Sequence, residues 1–403
     1  MNRAALKPLL RAALLLPLAA CGQPGDEIDY QTQGLETRPA KLYLDPTVLS
    51  RLQARAAKGE AAWTALKARC DGYATGTFNA PNQAAYVNFP NVGSGYQGEE
   101  YLPAVMDLGL CYRVVRGVDA TAEAKYGAAG DRLLTAISTP VGSGGQVPST
   151  DSGYGIRFYG VSMATGFDWF YPALSSTTRA RVISSLNTWV DWYDASGFSR
   201  DAPLGNYFVG YFLAKTLTAL ATEGENSKAA TYLADVNDRM WGKLMQPALT
   251  SGMKGGGWPE GWGYGPLAVR SLSQAMWAMK TAKAVDWDGA TGFTRDQARY
   301  INHFAWPSLK HMDDQGTVHA GGALEPSSAL AMNLATMLGY QGQSAAPMLA
   351  AGSLIATEAG ACCSMLDGEP LDMAPGRKTP VVVGASASLH REWMDWLGTH
   401  GGR

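Results

Sequence analysis

Residues 255–266 read Gly-Gly-Gly-Trp-Pro-Glu-Gly-Trp-Gly-Tyr-Gly-Pro. One carboxylate, one phenol and two indoles fall within the seven residues Trp258–Tyr264, a content foreign to Gly/Ser linkers. Glu260 and Tyr264 are proton-transfer groups. The faces of Trp258 and Trp262 suit flat apolar surfaces such as sugar rings. Glycine lets the backbone approach a ligand closely, and Pro266 reads as the opening of the next helix. The stretch is therefore expected to be a rigid, aromatic, acid-bearing loop. Other loops carry further candidates: Asp151 and Tyr154 in the Gly/Ser/Pro-rich 140–154, followed by Arg157, and His319 in 311–326. Gly205-Asn206-Tyr207 places an amide and a phenol at the start of an apolar run. A phenol has an ordinary pKa of about 10, so acting as a base requires a nearby cation. Arg157, Arg200, Lys254 and Arg270 are the candidates.

Helices must position these loops. Apolar spacing predicts helices from Asp45-Pro46 to about Cys70, then over 99–116, 120–138, 157–171, 178–194, 205–222, 227–245, 267–286, 294–306, 327–338 and 346–358. Long connections at 71–98, 140–154, 196–205, 250–265 and 311–326 recur at every second junction, which would gather them on one face. Antiparallel hairpins of this kind predict an all-α fold, with an (α/α)6 toroid as the closed form and an open solenoid as the competitor. The first strand signal is Val381-Val382-Val383.

Composition sets the setting. A formal net charge of -2 leaves no field to recruit nucleic acid. Arg3, Lys7 and Arg11 precede the apolar stretch Ala12–Leu18, which is too short for a bilayer span. Leu18-Ala19-Ala20-Cys21 resembles a bacterial lipobox, which implies a lipid on Cys21; an ordinary secretory cleavage near Ala20 is the alternative. The expected layout is a lipoprotein signal at 1–20, a tether at 21–40, a helical domain at 41–370 and a C-terminal extension at 371–403. The protein would be exported and anchored to the cell envelope through that lipid alone. Cys70, Cys111, Cys362 and Cys363 allow three pairings, and their spacing fits no zinc site. Neither a metal nor a cofactor is expected.

Several stretches together resemble heparinase II/III-type and alginate-lyase-type polysaccharide lyases. They are 160–195 around Asp168-Trp169, Gly205-Asn206-Tyr207, Pro259-Glu260-Gly261 with Tyr264, and Asp314-Gln315-Gly316 with Gly321-Gly322. The similarity runs over roughly 45–360. It implies the α/α toroid and a following β-sandwich, of which Thr379–Trp393 looks like the first strand, at most a vestigial start. It also implies β-elimination on a uronic-acid glycan. By this resemblance Asn206 neutralises the substrate carboxylate and Tyr264 is the catalytic phenol. Tyr207 occupies the position where the family usually has His. Glu260, Trp258, Trp262, His319, Tyr154 and Arg157 are the expected substrate contacts. Two other readings compete. A toroid glycoside hydrolase would pair Glu260 with Asp151, Asp201 or Glu325. A tethered lipoprotein could bind glycan without turnover.

Overall fold

Asp45 and Pro46 set the first helix as their chemistry dictates. The Asp45 carboxylate accepts from the Val48 N–H at 2.8 Å, and Pro46 takes the first helical position, where its missing N–H deprives no partner. In the computed structural model, helix α1 spans Pro46–Ala57 and α2 spans Ala61–Thr75. The single helix expected to Cys70 is thus broken at Lys58–Glu60. The structure describes residues 39–81, 91–139, 147–294, 296–297, 300, 362–365 and 381–384, all within the unit Glu36–Arg403.

The helices continue as α3 (Tyr101–Val115), α4 (Ala120–Ser138), α5 (Ile156–Trp169), α6 (Ser176–Ser196) and α7 (Asn206–Ala221). Then follow α8 (Ala229–Asp235), a wider-wound π-helical segment (Val236–Met245) and α9 (Gln246–Thr250). The last described helices are α10 (Gly261–Lys283) and α11 (Trp287–Thr291). Asp119, Ser175 and Asp286 cap α4, α6 and α11 by accepting from backbone N–H groups. The expected helix at 227–245 changes winding partway. Pro247 in the next turn lacks a donor and crowds the carbonyl four residues back, and the turns ahead of it are wound wider. Helix α11 lay unseen in the sequence because it is a single short turn.

Two layers organise the described helices. α3 packs on α5, α5 on α7 and α7 on α10; α4 and α6 back this row, and α8 lies on α7. The row is the core. Every residue of α5 is buried, and every residue of α7 except Tyr207. Burying the large apolar side chains of α7, such as Phe208, Phe212 and Leu217, stabilises by about 2 kcal/mol each. This outweighs the modest helix propensity of its aromatic and β-branched residues. Lys215 in α7 is buried between Asp194 and Asp235, 2.7 Å from each, which ties α7 to α6 and α8. A disulfide joins Cys70 of α2 to Cys111 of α3.

The far end of the row is sealed by the entering chain. The Lys41 and Leu42 N–H groups donate to one Asp168 oxygen at 2.8 and 2.9 Å. The Trp169 indole donates to the Leu42 carbonyl at 2.9 Å, and the Tyr43 N–H to Thr281 of α10 at 3.0 Å. Asp168 and Trp169 therefore pin this segment to α5 in addition to lying in the helix pair.

Strands are minor among the described residues. β1 (Thr77–Phe78) pairs in parallel with β2 (Asn91–Val92), and β3 (Cys362–Met365) pairs antiparallel with β4 (Val381–Gly384). β4 is the strand expected at Val381–Val383, and its partner comes from the 41–370 side of the expected domain boundary. The helices expected at 327–338 and 346–358, and most of 294–306, lie outside the described residues.

Candidate functional site

The site is built where the N-terminal ends of α3, α5, α7 and α10 meet. Glycines explain the entries of α5 and α10. Gly153, with φ +95°, turns the chain into α5 where an added Cβ would strike the rings of Tyr193 and Trp192 at 2.6 and 2.8 Å. Gly261, with φ +62°, starts α10. That is five residues before the Pro266 expected to open it, so Trp262, Tyr264 and Pro266 lie within the helix instead of the loop. The turn is supplied by a glycine able to adopt a left-handed backbone, and the downstream proline does not set the boundary.

Arg157, Asn206, Glu260 and Trp258 form one chain of contacts. Arg157 is 3% exposed. Its Nη2 donates to the Asn206 carbonyl at 3.0 Å and to Asn206 Oδ1 at 2.9 Å. Asn206 in turn donates its N–H to Glu260 Oε2 at 2.8 Å and its Nδ2 to Oε1 at 2.6 Å. The Trp258 indole donates to the same Oε2 at 3.1 Å. Glu260 thus fixes the start of α7 from the loop before α10. Trp258 is 3% exposed and meets Phe293 edge-on. Its faces are covered by protein, so it is a core anchor here rather than the sugar platform expected. Asn206 is also buried, with both ends of its side chain engaged by protein.

A second group lies beside the first. The Tyr207 hydroxyl donates to Asp151 Oδ1 at 3.2 Å, and the Tyr96 hydroxyl to Oδ2 at 3.0 Å. Tyr154 joins the groups: its ring centre lies 5.3 Å from that of Tyr207 and 6.1 Å from that of Tyr96. The Arg157 guanidinium sits 3.9 Å from the Tyr154 ring centre and 5.4 Å from that of Tyr207. Gly210 leaves room for it, since a Cβ there would stand 2.9 Å from the Arg157 Cβ and 3.1 Å from its Nε. Exposed Phe198 meets Tyr207 edge-on at 5.1 Å. Tyr264 is exposed at the first turns of α10. The side chain of Trp262, all of His319 and all of Cys21 lie outside the described residues.

Guanidinium groups and carboxylates share the site. Burial pulls the Arg157 pKa below its ordinary value, partly offset by Tyr154, Tyr193, Tyr207 and Glu260. Nε and Nη1 of Arg157 are buried with no hydrogen-bond partner among the described residues. Arg270, half-buried further along α10, has its pKa lowered by burial, with the Tyr154 phenol opposing the shift. Helix N-termini add positive partial charge. Burial, then the charge and hydrogen bond of Asp151, push Tyr207 up to about 12 against the pull of Arg157. Tyr96 is raised first by its bond to Asp151.

Of the sequence candidates, Asn206, Tyr207, Glu260, Trp258, Tyr154 and Arg157 are brought together, although Trp258 and Asn206 are enclosed. Tyr96 escaped the sequence reading. Its signal is Gly95-Tyr96-Gln97-Gly98, an aromatic between glycines like those of the 255–265 loop. No cluster of metal-ligating side chains occurs among the described residues. No described helix is long and apolar enough to cross a membrane. No protein-family model and no curated protein matches the chain.

Proposed function

We propose that the protein is a polysaccharide lyase-like enzyme that cleaves a uronic-acid glycan by β-elimination, in a cleft at one end of an (α/α)6 toroid. The observation that carries this reading is the meeting of the phenols Tyr154 and Tyr207 with the Arg157 guanidinium at the helix N-termini. Elimination needs a group to neutralise the carboxylate beside C5, a base for the C5 proton and an acid for the departing oxygen. The positive charge of Arg157, lying against the Tyr154 and Tyr207 rings with Asn206 held to it, is the candidate for the first task. Tyr264 and Tyr207 are the phenols for the other two. Glu260 positions Asn206 by accepting its two donors.

Hydrolysis is less well supported. It needs two carboxylates free to act across the bond, whereas Glu260 already accepts three protein donors and Asp201 pairs with Arg239 and Arg200. The lipobox-like Leu18-Ala19-Ala20-Cys21 supports an exported protein held at the bacterial envelope by lipid on Cys21. Labelling with an alkyne palmitate analogue should mark the wild type and not Cys21→Ala.

The function is tested with Tyr264→Phe on a panel of uronic-acid polysaccharides. Turnover should fall at least ~1000-fold, the scale of losing a proton-transfer group together with its placement, while glycan binding persists. Full activity in that variant would remove Tyr264 from the chemistry and with it this reading.

A further inference from the structure

We propose that Arg270 is a substrate-binding residue: its half-buried guanidinium, left without a protein anion, takes a uronate carboxylate of the glycan. The proposal rests on the elimination reading above and supplies the direct contact that Arg157 does not offer. Arg157 is enclosed, with Nη2 bonded to Asn206 and with Nε and Nη1 covered, so its charge acts through the Tyr154 and Tyr207 rings.

The periodicity of α10 places Arg270. From Leu267 to Trp277 the residues left partly open are Leu267, Arg270, Gln274 and Trp277, and all those between them are buried. Steps of three and four residues put them on one face of the helix, in line with exposed Tyr264 one step before Leu267. The face runs from the candidate site toward the end that the entering chain closes, where the Trp277 indole donates to the Tyr43 carbonyl at 3.4 Å. Arg270 stands between the two. Helical side chains lean toward the helix N-terminus, which carries a long arginine back toward Tyr264. The Tyr154 phenol is close enough for its charge to act on Arg270.

Pairing sets Arg270 apart. Lys215 is buried between two carboxylates, and Arg239 binds Asp235 and Asp201. Among the described residues no hydrogen bond or ion pair reaches the Arg270 guanidinium, and the group whose charge acts on it is a phenol, not a carboxylate. A charge withdrawn from water without a partner costs free energy, and proteins normally pair such groups. An arginine kept in that state beside aromatic rings suits an anion that the ligand brings. Its planar fork matches a carboxylate through two parallel N–H···O bonds. Tyr154, Tyr207 and exposed Phe198, with successive ring centres 5.3 and 5.1 Å apart, offer apolar surface to the sugar that carries the carboxylate.

The test is calorimetric titration of the full chain with oligosaccharides of polyguluronate, polymannuronate, heparosan and unsulfated chondroitin, in which the carboxylate is the anionic group. Each is compared with the same oligosaccharide after its carboxyl groups are reduced to alcohols. The wild type should bind at least one acid form and prefer it to the reduced form. Arg270→Gln should bind that acid form at least ~10-fold more weakly, the scale of a hydrogen bond to a charged group, with affinity for the reduced form unchanged. Arg270→Lys, which keeps the charge and loses the fork, should fall between them. Stability gives a second readout. Removing an unpaired half-buried charge should leave the urea midpoint of Arg270→Gln at or above that of the wild type, whereas removing half of an ion pair would lower it. The proposal is overturned by an acid-form preference kept in full by Arg270→Gln, by a clear drop in its urea midpoint or failure to fold, or by a wild type that binds no acid form. A preference lost in Arg270→Gln with no unsaturated product from the wild type upholds the carboxylate contact and overturns the elimination reading. Unsaturated product from the wild type with the preference intact in Arg270→Gln does the reverse.

Discussion

Glu260 accepts three donors, from the Asn206 backbone, the Asn206 side chain and the Trp258 indole. Glu260→Ala should therefore destabilise the protein by roughly 3 kcal/mol, because partly buried N–H groups lose a charged acceptor. Glu260→Gln should retain part of that, since its amide still offers one oxygen. Urea melts of the two variants check this, and equal, negligible losses would show that the contacts are dispensable. Much at this scale was legible in residue types. The acid, phenols, amide and guanidinium singled out in the sequence do converge. What could not be read is which side chains protein groups already occupy. Trp258 and Asn206 look like ligand contacts by type, but only packing shows that one is enclosed and the other is held between Arg157 and Glu260. Tyr96 was missed because its partner, Asp151, lies 55 residues away.

At the scale of elements, the Cys70–Cys111 bridge links α2 to α3 across a separation of 41 residues. Closing a loop of that length in the unfolded chain corresponds to roughly 4 kcal/mol in the chain-entropy model. The double variant Cys70→Ser/Cys111→Ser should lose a stability of that order in urea unfolding, with the helical circular dichroism of the native state kept. Helices α3 to α7 emerge close to their expected limits, because caps such as Asp119 and Ser175 and long apolar stripes mark them. Errors gather where one residue decides the local backbone. The break at Lys58–Glu60, the early start of α10 at Gly261 and the π-helical turns before Pro247 each depend on a torsion or a missing donor that periodicity does not register. The cysteine pairing was open in the sequence, since three pairings satisfy the same count.

At the scale of the whole molecule, burial holds many phenols above their ordinary pKa, among them Tyr43, Tyr101, Tyr126, Tyr159, Tyr193, Tyr211 and Tyr232. A folded-state value above the unfolded one gives stability that is complete below the unfolded pKa and lost as pH rises toward the folded pKa. The urea midpoint should thus be insensitive to these groups up to about pH 9 and fall progressively above about pH 10. A midpoint unchanged at strongly alkaline pH would mean that the buried phenols ionise without penalty. The mostly helical architecture was legible from helical periodicity, and among the described residues the N-terminal ends of α5, α7 and α10 are joined through Arg157, Asn206 and Glu260. The central claim is that this place performs elimination on a uronic-acid glycan. The most direct test incubates the wild-type protein with uronic-acid polysaccharides while following near-ultraviolet absorbance and new reducing ends in the same samples. The expected result is absorbance from an unsaturated uronide rising in step with reducing ends; reducing ends without that absorbance, or glycan binding with neither, would contradict it.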